Sequence, residues 1–96
     1  MDILVSYDVS TEDAKGRARL RRVAKVCRAF GQRVQKSVFE CSVSEMQMEG
    51  LRERLLDCID EKKDSLRLYR LIEPRSRNVE SYGKDTYVDY GEPLVV

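Results

Sequence analysis

The residue with the clearest chemical potential is Asp8, which follows Tyr7 at the end of a short apolar run. The chain has no histidine, so the commonest general base and transition-metal ligand are absent. Chemistry must then rest on carboxylates, hydroxyls, lysine, or a hard cation such as Mg²⁺ bound through oxygen. One carboxylate is too few for metal-assisted phosphodiester hydrolysis, but a two-fold dimer would bring two copies of Asp8 to one ion. The alternative is that Asp8 is simply a turn former or cap.

Positive charge is concentrated in one interval of the chain. Residues 14–39 contain nine basic residues and no acidic one, whereas residues 40–66 contain eight acids and four bases. Such a run is often only a solvated helix face. Here arginine outnumbers lysine and no interleaved acids relieve the repulsion, which favours a polyanionic partner. The predicted nucleic-acid contacts are Arg17, Arg19, Arg21, Arg22, Arg28, Arg33 and Lys36.

The elements that must position these residues begin with a buried strand over residues 2–8, which ends at Asp8. Ser10 and Asp13 form a capping-box-like pair, and apolar residues at helical spacing predict a first helix over residues 11–30. Gly31 supplies the expected stop. Seven basic residues lie on this helix, and its geometry is expected to fan them over the exposed sides.

The rest of the chain completes a recognisable order of elements. Residues 33–43 predict two strands joined tightly near Lys36 and Ser37, and Ser44 caps a second helix that ends near Lys62 or Lys63. A further strand is predicted over residues 65–73. The order β-α-β-β-α-β predicts an α+β, ferredoxin-like fold with a four-stranded antiparallel sheet. Residues 74–96 are surplus to it, and strand-like stretches at 86–90 and 94–96 should pair with a free sheet edge.

Size and composition set further limits. A chain of 96 residues is enough for one domain, 1–96, and is small enough to make dimerisation attractive. No apolar run is long enough for a membrane helix, and the N-terminal residues do not resemble a signal peptide. The cysteines fit no zinc motif and are expected to be reduced core residues of a cytoplasmic protein: Cys27, Cys41 and Cys58.

Three segments carry a family resemblance along the whole chain. They are the strand end Val5-Ser6-Tyr7-Asp8-Val9, the Arg-Arg-Val-Ala-Lys stretch at 21–25, and Phe-Gly-Gln-Arg-Val-Gln-Lys-Ser-Val-Phe-Glu at 30–40. The chain resembles the CRISPR-associated endoribonuclease family, the second core Cas protein of the spacer-acquisition machinery. The segment between Asp8 and residue 21 looks a few residues longer than in the shorter members.

The resemblance implies a ferredoxin-like homodimer whose C-terminal strand crosses to the partner. It further implies a metal-dependent nuclease acting on RNA or duplex DNA, which also bridges dimers of the integrase subunit, the first core Cas protein, in a heterohexamer-like complex. The family's metal-binding aspartate falls on Asp8 and its neighbouring tyrosine on Tyr7, and these two are the predicted catalytic residues. The family's arginine after the first helix falls on Arg33. Its aromatic falls on Phe39, for which a place in the core or an interface is the alternative.

Two other functions remain open at this point. The chain would be a purely structural adaptor if Asp8 contributes little chemistry and the basic helix only binds DNA, and a single carboxylate per chain favours this slightly. General RNA binding by the sheet is less well supported, because no RNP-type aromatic motif is present.

Overall fold

The first strand establishes which side of the sheet is buried. A computed structural model describes residues 1–84 of the chain. Strand β1 covers Asp2–Asp8, and burial alternates along it: Ile3, Val5 and Tyr7 are buried, whereas Asp8 is exposed. This alternation follows from the two-residue period of a strand, and it places one row of side chains in the core and the other on the opposite face.

Helix α1 covers Ala14–Phe30. Its N-cap is Asp13, whose Oδ1 accepts a hydrogen bond of 2.7 Å from the Gly16 N–H. The predicted capping role of Ser10 is therefore wrong, and the helix begins three residues later than expected because Ser10 N–H donates elsewhere, to Asp64. At the other end, Gly31 is the C-cap and also the first residue of the next strand, so α1 leads into the sheet without a loop.

The middle of the chain follows the predicted order. Strands β2 (Gly31–Gln35) and β3 (Val38–Ser42) form a hairpin, and the pairing register shifts between Arg33 and Gln35. Helix α2 covers Glu45–Cys58 and begins with a complete capping box between Ser44 and Gln47.

The end of α2 comes earlier than predicted. The sequence predicted that the helix would continue to Lys62 or Lys63, but it stops at Cys58. The physical reason is a local turn, in which the Asp60 side chain accepts a hydrogen bond from the Lys62 N–H and offers the backbone an alternative to the helix. Strand β4 covers Ser65–Arg70, shorter than the predicted 65–73, and a short helix α3 (Arg75–Asn78) follows Pro74.

The sheet has the strand order β2-β3-β1-β4, and all neighbours are antiparallel. With α1 and α2 packed on one face, this is the ferredoxin-like arrangement that the sequence predicted. The core lies between helices and sheet and is formed by Ile3, Val5, Tyr7, Val9, Val23, Val26, Cys27, Phe39, Cys41, Val43, Met48, Leu51 and Leu55.

The cysteines confirm their predicted place in or beside this core. Cys27 and Cys41 are buried free thiols, and Cys58 is half-buried. Burial raises the pKa of Cys27 to about 12 and that of Cys41 to about 11, so both remain protonated at neutral pH. Neither thiol is a nucleophile or a ready metal ligand in this state.

The opposite face of the sheet carries neither α1 nor α2, and we call it the helix-free face on that account. The short helix α3 lies against its margin, where Arg75 forms ion pairs with Asp2 and Glu40. A cleft of about 910 Å³ on this face is lined by Leu4, Val34, Val38 and Glu40 together with residues 79–82 and Lys84. The predicted strands at 86–90 and 94–96 lie outside the described residues. Within residues 1–84 no helix has the length and apolar character needed to cross a membrane.

Candidate functional site

Asp8 lies at the end of the central strand β1, on the face of the sheet that the helices leave open. Its backbone pairs with Ser65 of β4, and its side chain is exposed. Tyr7 and Asp8 are consecutive in the strand, so their side chains project from opposite faces. The carboxylate of Asp8 is accessible to a ligand, while the Tyr7 side chain is only 5% exposed and belongs to the core.

A buried carboxylate, Asp64, holds the backbone that follows Asp8. Its oxygens accept hydrogen bonds from Ser10 N–H (3.0 Å), Asp60 N–H (2.9 Å) and the Arg19 guanidinium (2.8 and 3.3 Å). Burial by itself raises the pKa of Asp64, but the hydrogen bond from Arg19 and those from the two backbone N–H groups reverse this, and the pKa is below its ordinary value. Asp64 is therefore ionised at neutral pH.

Arg19 was predicted to contact phosphate, and its expected exposure is not found. Its side chain is 11% exposed and forms an ion pair with Asp64. The hydrogen bond to Asp64 also raises the pKa of Arg19 above its ordinary value. A signal for this was present in the sequence, because Arg19 precedes the buried Val23 by four residues and so lies on the apolar side of the helix. Asp64 itself carried no signal beyond its position just before β4.

The other basic residues of α1 form an exposed set, which we call the α1 basic face. Arg17 is held loosely by a 3.3 Å hydrogen bond from its Nη1 to the Thr11 carbonyl oxygen. Apart from Arg19, every lysine and arginine of the helix is exposed to solvent: Lys15, Arg17, Arg21, Arg22, Lys25 and Arg28. These six exposed side chains concentrate positive charge on one surface, which favours a polyanionic partner.

Tyr7, Arg33 and Phe39 come together, but inside the molecule and not beside the Asp8 carboxylate. The Tyr7 and Phe39 rings are stacked at 6.3 Å, and the Arg33 guanidinium lies 5.0 Å from the Phe39 ring centroid. Burial raises the pKa of Tyr7, against the opposing effect of its hydrogen bond with Arg33. Phe39 is fully buried, which is the core placement left open by the sequence. Lys36 is exposed in the turn between β2 and β3.

The candidate residues thus divide into Asp8 on the helix-free face, the α1 basic face on the helical side, and a cluster of Tyr7 and Phe39 in the core with the half-buried Arg33. Arg19, paired with Asp64, and Lys36, in the β2–β3 turn, belong to none of the three. Within residues 1–84 no three histidine, cysteine, aspartate or glutamate side chains are close enough to hold a metal ion together. Within this part of the chain, Asp8 therefore belongs to no cluster of three such ligands.

Comparison with known proteins connects this arrangement to a family. The model of the CRISPR associated protein Cas2 family matches residues 1–79. The chain belongs to the Cas2 family. It is 60% identical to the CRISPR-associated endoribonuclease Cas2 1 of Moorella thermoacetica, over all of both chains. It is 47% identical to the CRISPR-associated endonuclease Cas2 of Halalkalibacterium halodurans, over 99% of each. The crystal structure of Streptococcus pyogenes Cas2 superposes with a TM-score of 0.78 and 53% identity, covering 86% of this chain and 100% of that one. The Cas2 resemblance proposed from the sequence is confirmed.

Proposed function

We propose that this chain acts in CRISPR spacer acquisition as a homodimer that binds nucleic acid and hydrolyses phosphodiester bonds at Asp8. The observation that carries the proposal is the exposed Asp8 carboxylate at the end of the central strand. Support comes from relatives named as an endoribonuclease and an endonuclease, which match the chain over nearly its full length. RNA and duplex DNA are both candidate substrates, because the phosphodiester is common to the two.

The proposed cofactor is one Mg²⁺ ion shared between Asp8 of the two subunits. The Asp8 carboxylate is the type of hard oxygen ligand that Mg²⁺ prefers. In this proposal two protein carboxylates reach the ion only when two copies of the chain are present. When bound, the ion would supply positive charge at the scissile phosphate and lower the pKa of an attacking water. The chain's own contribution is to present the carboxylate on an open face, where a phosphate can approach.

A second copy of the chain is the proposed occupant of the helix-free face. Several large apolar side chains are exposed on it or beside it, with exposures of 42% for Tyr69, 42% for Val79 and 82% for Tyr82. Strand β4 pairs only with β1 within the described residues, so its other edge is available to a further strand. We propose that residues 85–96 of one subunit add to the sheet of the other.

Nucleic-acid binding is assigned to the α1 basic face. Arginines are both clustered and exposed on this surface. Their charge attracts phosphates whatever the nucleotide sequence. In the same proposal the dimer docks the integrase subunit, the first core Cas protein, in a heterohexamer-like complex in the cytoplasm.

A structural adaptor without physiological nuclease activity is the second candidate. The observation that favours it is the single carboxylate: no further acidic side chain joins Asp8 within residues 1–84 to complete a metal site. In that case the α1 basic face and the dimer would suffice to hold DNA for the integrase, and Asp8 would be dispensable.

The test compares wild-type protein with the Asp8→Asn variant in cleavage of single-stranded RNA and duplex DNA, with and without Mg²⁺. We expect Asp8→Asn to abolish cleavage and to leave thermal unfolding in the absence of metal unchanged or shifted upward, since the two carboxylates no longer repel each other. Glu12→Gln, which changes another exposed acid four residues away, serves as the matched control and should cleave normally.

Each other outcome has a distinct meaning. Full cleavage by Asp8→Asn would show that the nuclease lies elsewhere or is a contaminant. A collapsed melting temperature would make Asp8 a structural cap. Wild-type protein that binds duplex DNA but cleaves neither substrate would establish the adaptor function.

A further inference from the structure

We propose that Arg19 and Asp64 form a positioning pair that fixes the Asp8 carboxylate relative to the sheet. The inference rests on the proposed role of Asp8 in cleavage, and it gives Arg19 a different task from the phosphate contact expected from the sequence. Neither residue touches substrate in this proposal. Both act through the backbone that follows Asp8 and through Ser65, its partner in β4.

The contacts of Asp64 join three segments of the chain at one buried carboxylate. Its Oδ1 accepts from Ser10 N–H at 3.0 Å and from Arg19 Nη2 at 3.3 Å. Its Oδ2 accepts from Arg19 Nε at 2.8 Å and from Asp60 N–H at 2.9 Å. The side chain is 0% exposed, so these four hydrogen bonds account for the lone pairs that water would otherwise occupy.

This carboxylate reaches Asp8 by two short routes. Ser10, which it holds through the backbone N–H, is only two residues beyond Asp8. Ser65, the residue after Asp64, is the partner of Asp8 in the β1–β4 ladder. Asp64 therefore restrains the backbone just after Asp8 through Ser10, and it directly precedes Ser65, the residue that pairs with Asp8. These restraints limit the directions in which the Asp8 side chain can project.

The first turns of helix α1 also pack against Ser10. Gly16 lies so close to the Ser10 carbonyl group that a Cβ at this position would collide with its oxygen. Ser10 is thus held through its N–H by Asp64 and packed through its C=O by the first turn of α1. Arg19, one turn further along α1, supplies the charge that keeps Asp64 ionised inside the protein.

The pair is suited to positioning because a buried charge responds strongly to loss of its partner. Without Arg19, the Asp64 carboxylate would be left in a dry site with only two backbone donors and would draw in water or move. Either response displaces Ser10, and a displaced Ser10 releases the chain immediately after Asp8.

The test uses Asp64→Asn and Arg19→Lys in the full-length protein, under conditions where each variant is folded by thermal unfolding. We expect kcat for Mg²⁺-dependent cleavage to fall by about 10- to 100-fold, the usual range for a residue that orients a ligand, with KM for the nucleic acid changed less than about two-fold. Leu51→Val and Leu51→Ala, which destabilise the core from α2, are the stability-matched controls. They should keep the wild-type kcat.

Two measurements independent of cleavage accompany the kinetics. In wild-type protein, amide hydrogen exchange at Ser10 should be slow and should accelerate at least ten-fold in both variants, but not in the Leu51 controls. Mn²⁺ titrated alone and followed by electron paramagnetic resonance should bind at least ten-fold more weakly to both variants. The Ser10 exchange rate in wild-type protein gives an answer even where a variant fails to fold, since fast exchange there would overturn the proposal.

The outcomes separate this inference from the proposed function. If Asp8→Asn cleaves normally in the same assays, the proposed function fails. If Asp8→Asn is inactive while Asp64→Asn and Arg19→Lys keep the wild-type kcat and Mn²⁺ affinity, only the positioning role fails. A drop in kcat that is matched by the Leu51 controls at equal stability would likewise reduce the pair to a structural ion pair.

Discussion

Two consecutive residues, Tyr7 and Asp8, have opposite environments because they alternate along a strand. Asp8 is exposed on the helix-free face, whereas Tyr7 stacks on Phe39 in the core, and the nearby Arg33 opposes the rise that burial causes in the pKa of its hydroxyl. From this burial we expect Tyr7 to affect any reaction at Asp8 only through the fold. The structure therefore separates the residue that can meet a phosphate from the residue that supports the strand carrying it.

Replacing Tyr7 with phenylalanine tests this separation. The variant loses the buried hydroxyl near Arg33, whose buried Nε already lacks a hydrogen-bond partner. We expect the free energy of unfolding in urea to fall by about 1 kcal/mol, and cleavage to stay at the wild-type level. Tyr69→Phe, which removes an exposed hydroxyl from the Asp8 face, is the control and should change stability by less than about 0.5 kcal/mol. Loss of cleavage in Tyr7→Phe as complete as in Asp8→Asn would contradict the separation.

At the same scale, the sequence could identify Asp8 but not its surroundings. The strand pattern placed Asp8 at the end of β1, and the absence of histidine drew attention to carboxylates. The pairing of Arg19 with Asp64 joins residues 45 positions apart, and no local pattern reports such a contact. Charge counting also treated Arg19 as one of a run, although its helical position beside Val23 marked it as inward-facing.

Among the elements, α1 has two faces with different tasks. Its inner side packs Val23, Val26 and Cys27 into the core and holds Arg19 against Asp64, while its outer side carries the α1 basic face. The outer arginines are the ones whose replacement should affect binding without affecting the fold.

Replacing Arg17, Arg21 and Arg22 together with alanine should weaken binding of duplex DNA equally for all sequences. Arginines bound to phosphates release counterions, so the salt dependence of log K should become shallower by about 0.9 for each phosphate that is no longer neutralised. Fluorescence anisotropy across a series of salt concentrations measures both quantities. A triple replacement of Arg52, Lys62 and Lys63 removes the same charge from exposed sites on α2 and the turn after it. Equal weakening in that control would show that net charge, and not the α1 basic face, determines binding.

Element types and their order were accessible from the sequence, and element ends were not. The periodic spacing of apolar residues predicted both long helices and the strands, because each of these elements buries one side along its length. The start of α1 was misplaced because Ser10 and Asp13 are both good caps, and a contact with the distant Asp64 decides between them. The end of α2 depended on the local turn at Asp60, which competes with a helix that the sequence would otherwise continue.

For the whole molecule, residues 1–84 leave the outer edges of β4 and β2 unpaired and the helix-free face only partly covered. Their apolar side chains and unpaired backbone groups are what an interface between two copies would use. The dimer predicted from the surplus C-terminal residues therefore remains a prediction with a defined location.

Deleting residues 85–96 should convert the dimer to monomer or lower its stability markedly, because the deletion removes the strand proposed to cross between subunits. Sedimentation velocity over a range of protein concentrations measures the association, and thermal unfolding measures the stability. A chain that keeps residues 85–96 in scrambled order controls for length alone and should behave like the deletion. A truncated protein that stays dimeric and equally stable would place the interface elsewhere.

The loop-free joint at Gly31 has a consequence for how the molecule transmits force. A side chain at this position would collide with the Glu40 carbonyl oxygen, so the end of α1 sits directly on β3 while its backbone continues as β2. Because no loop separates the two elements, we expect a force applied to α1 to pass directly to β2 at the edge of the sheet. Asp8 lies on β1, which is separated from β2 by β3. A force on β2 therefore reaches Asp8 only through the β2–β3 and β3–β1 pairings. Helix α1 and strand β2 should therefore move together as one rigid unit, while β1, which carries Asp8, stays in place.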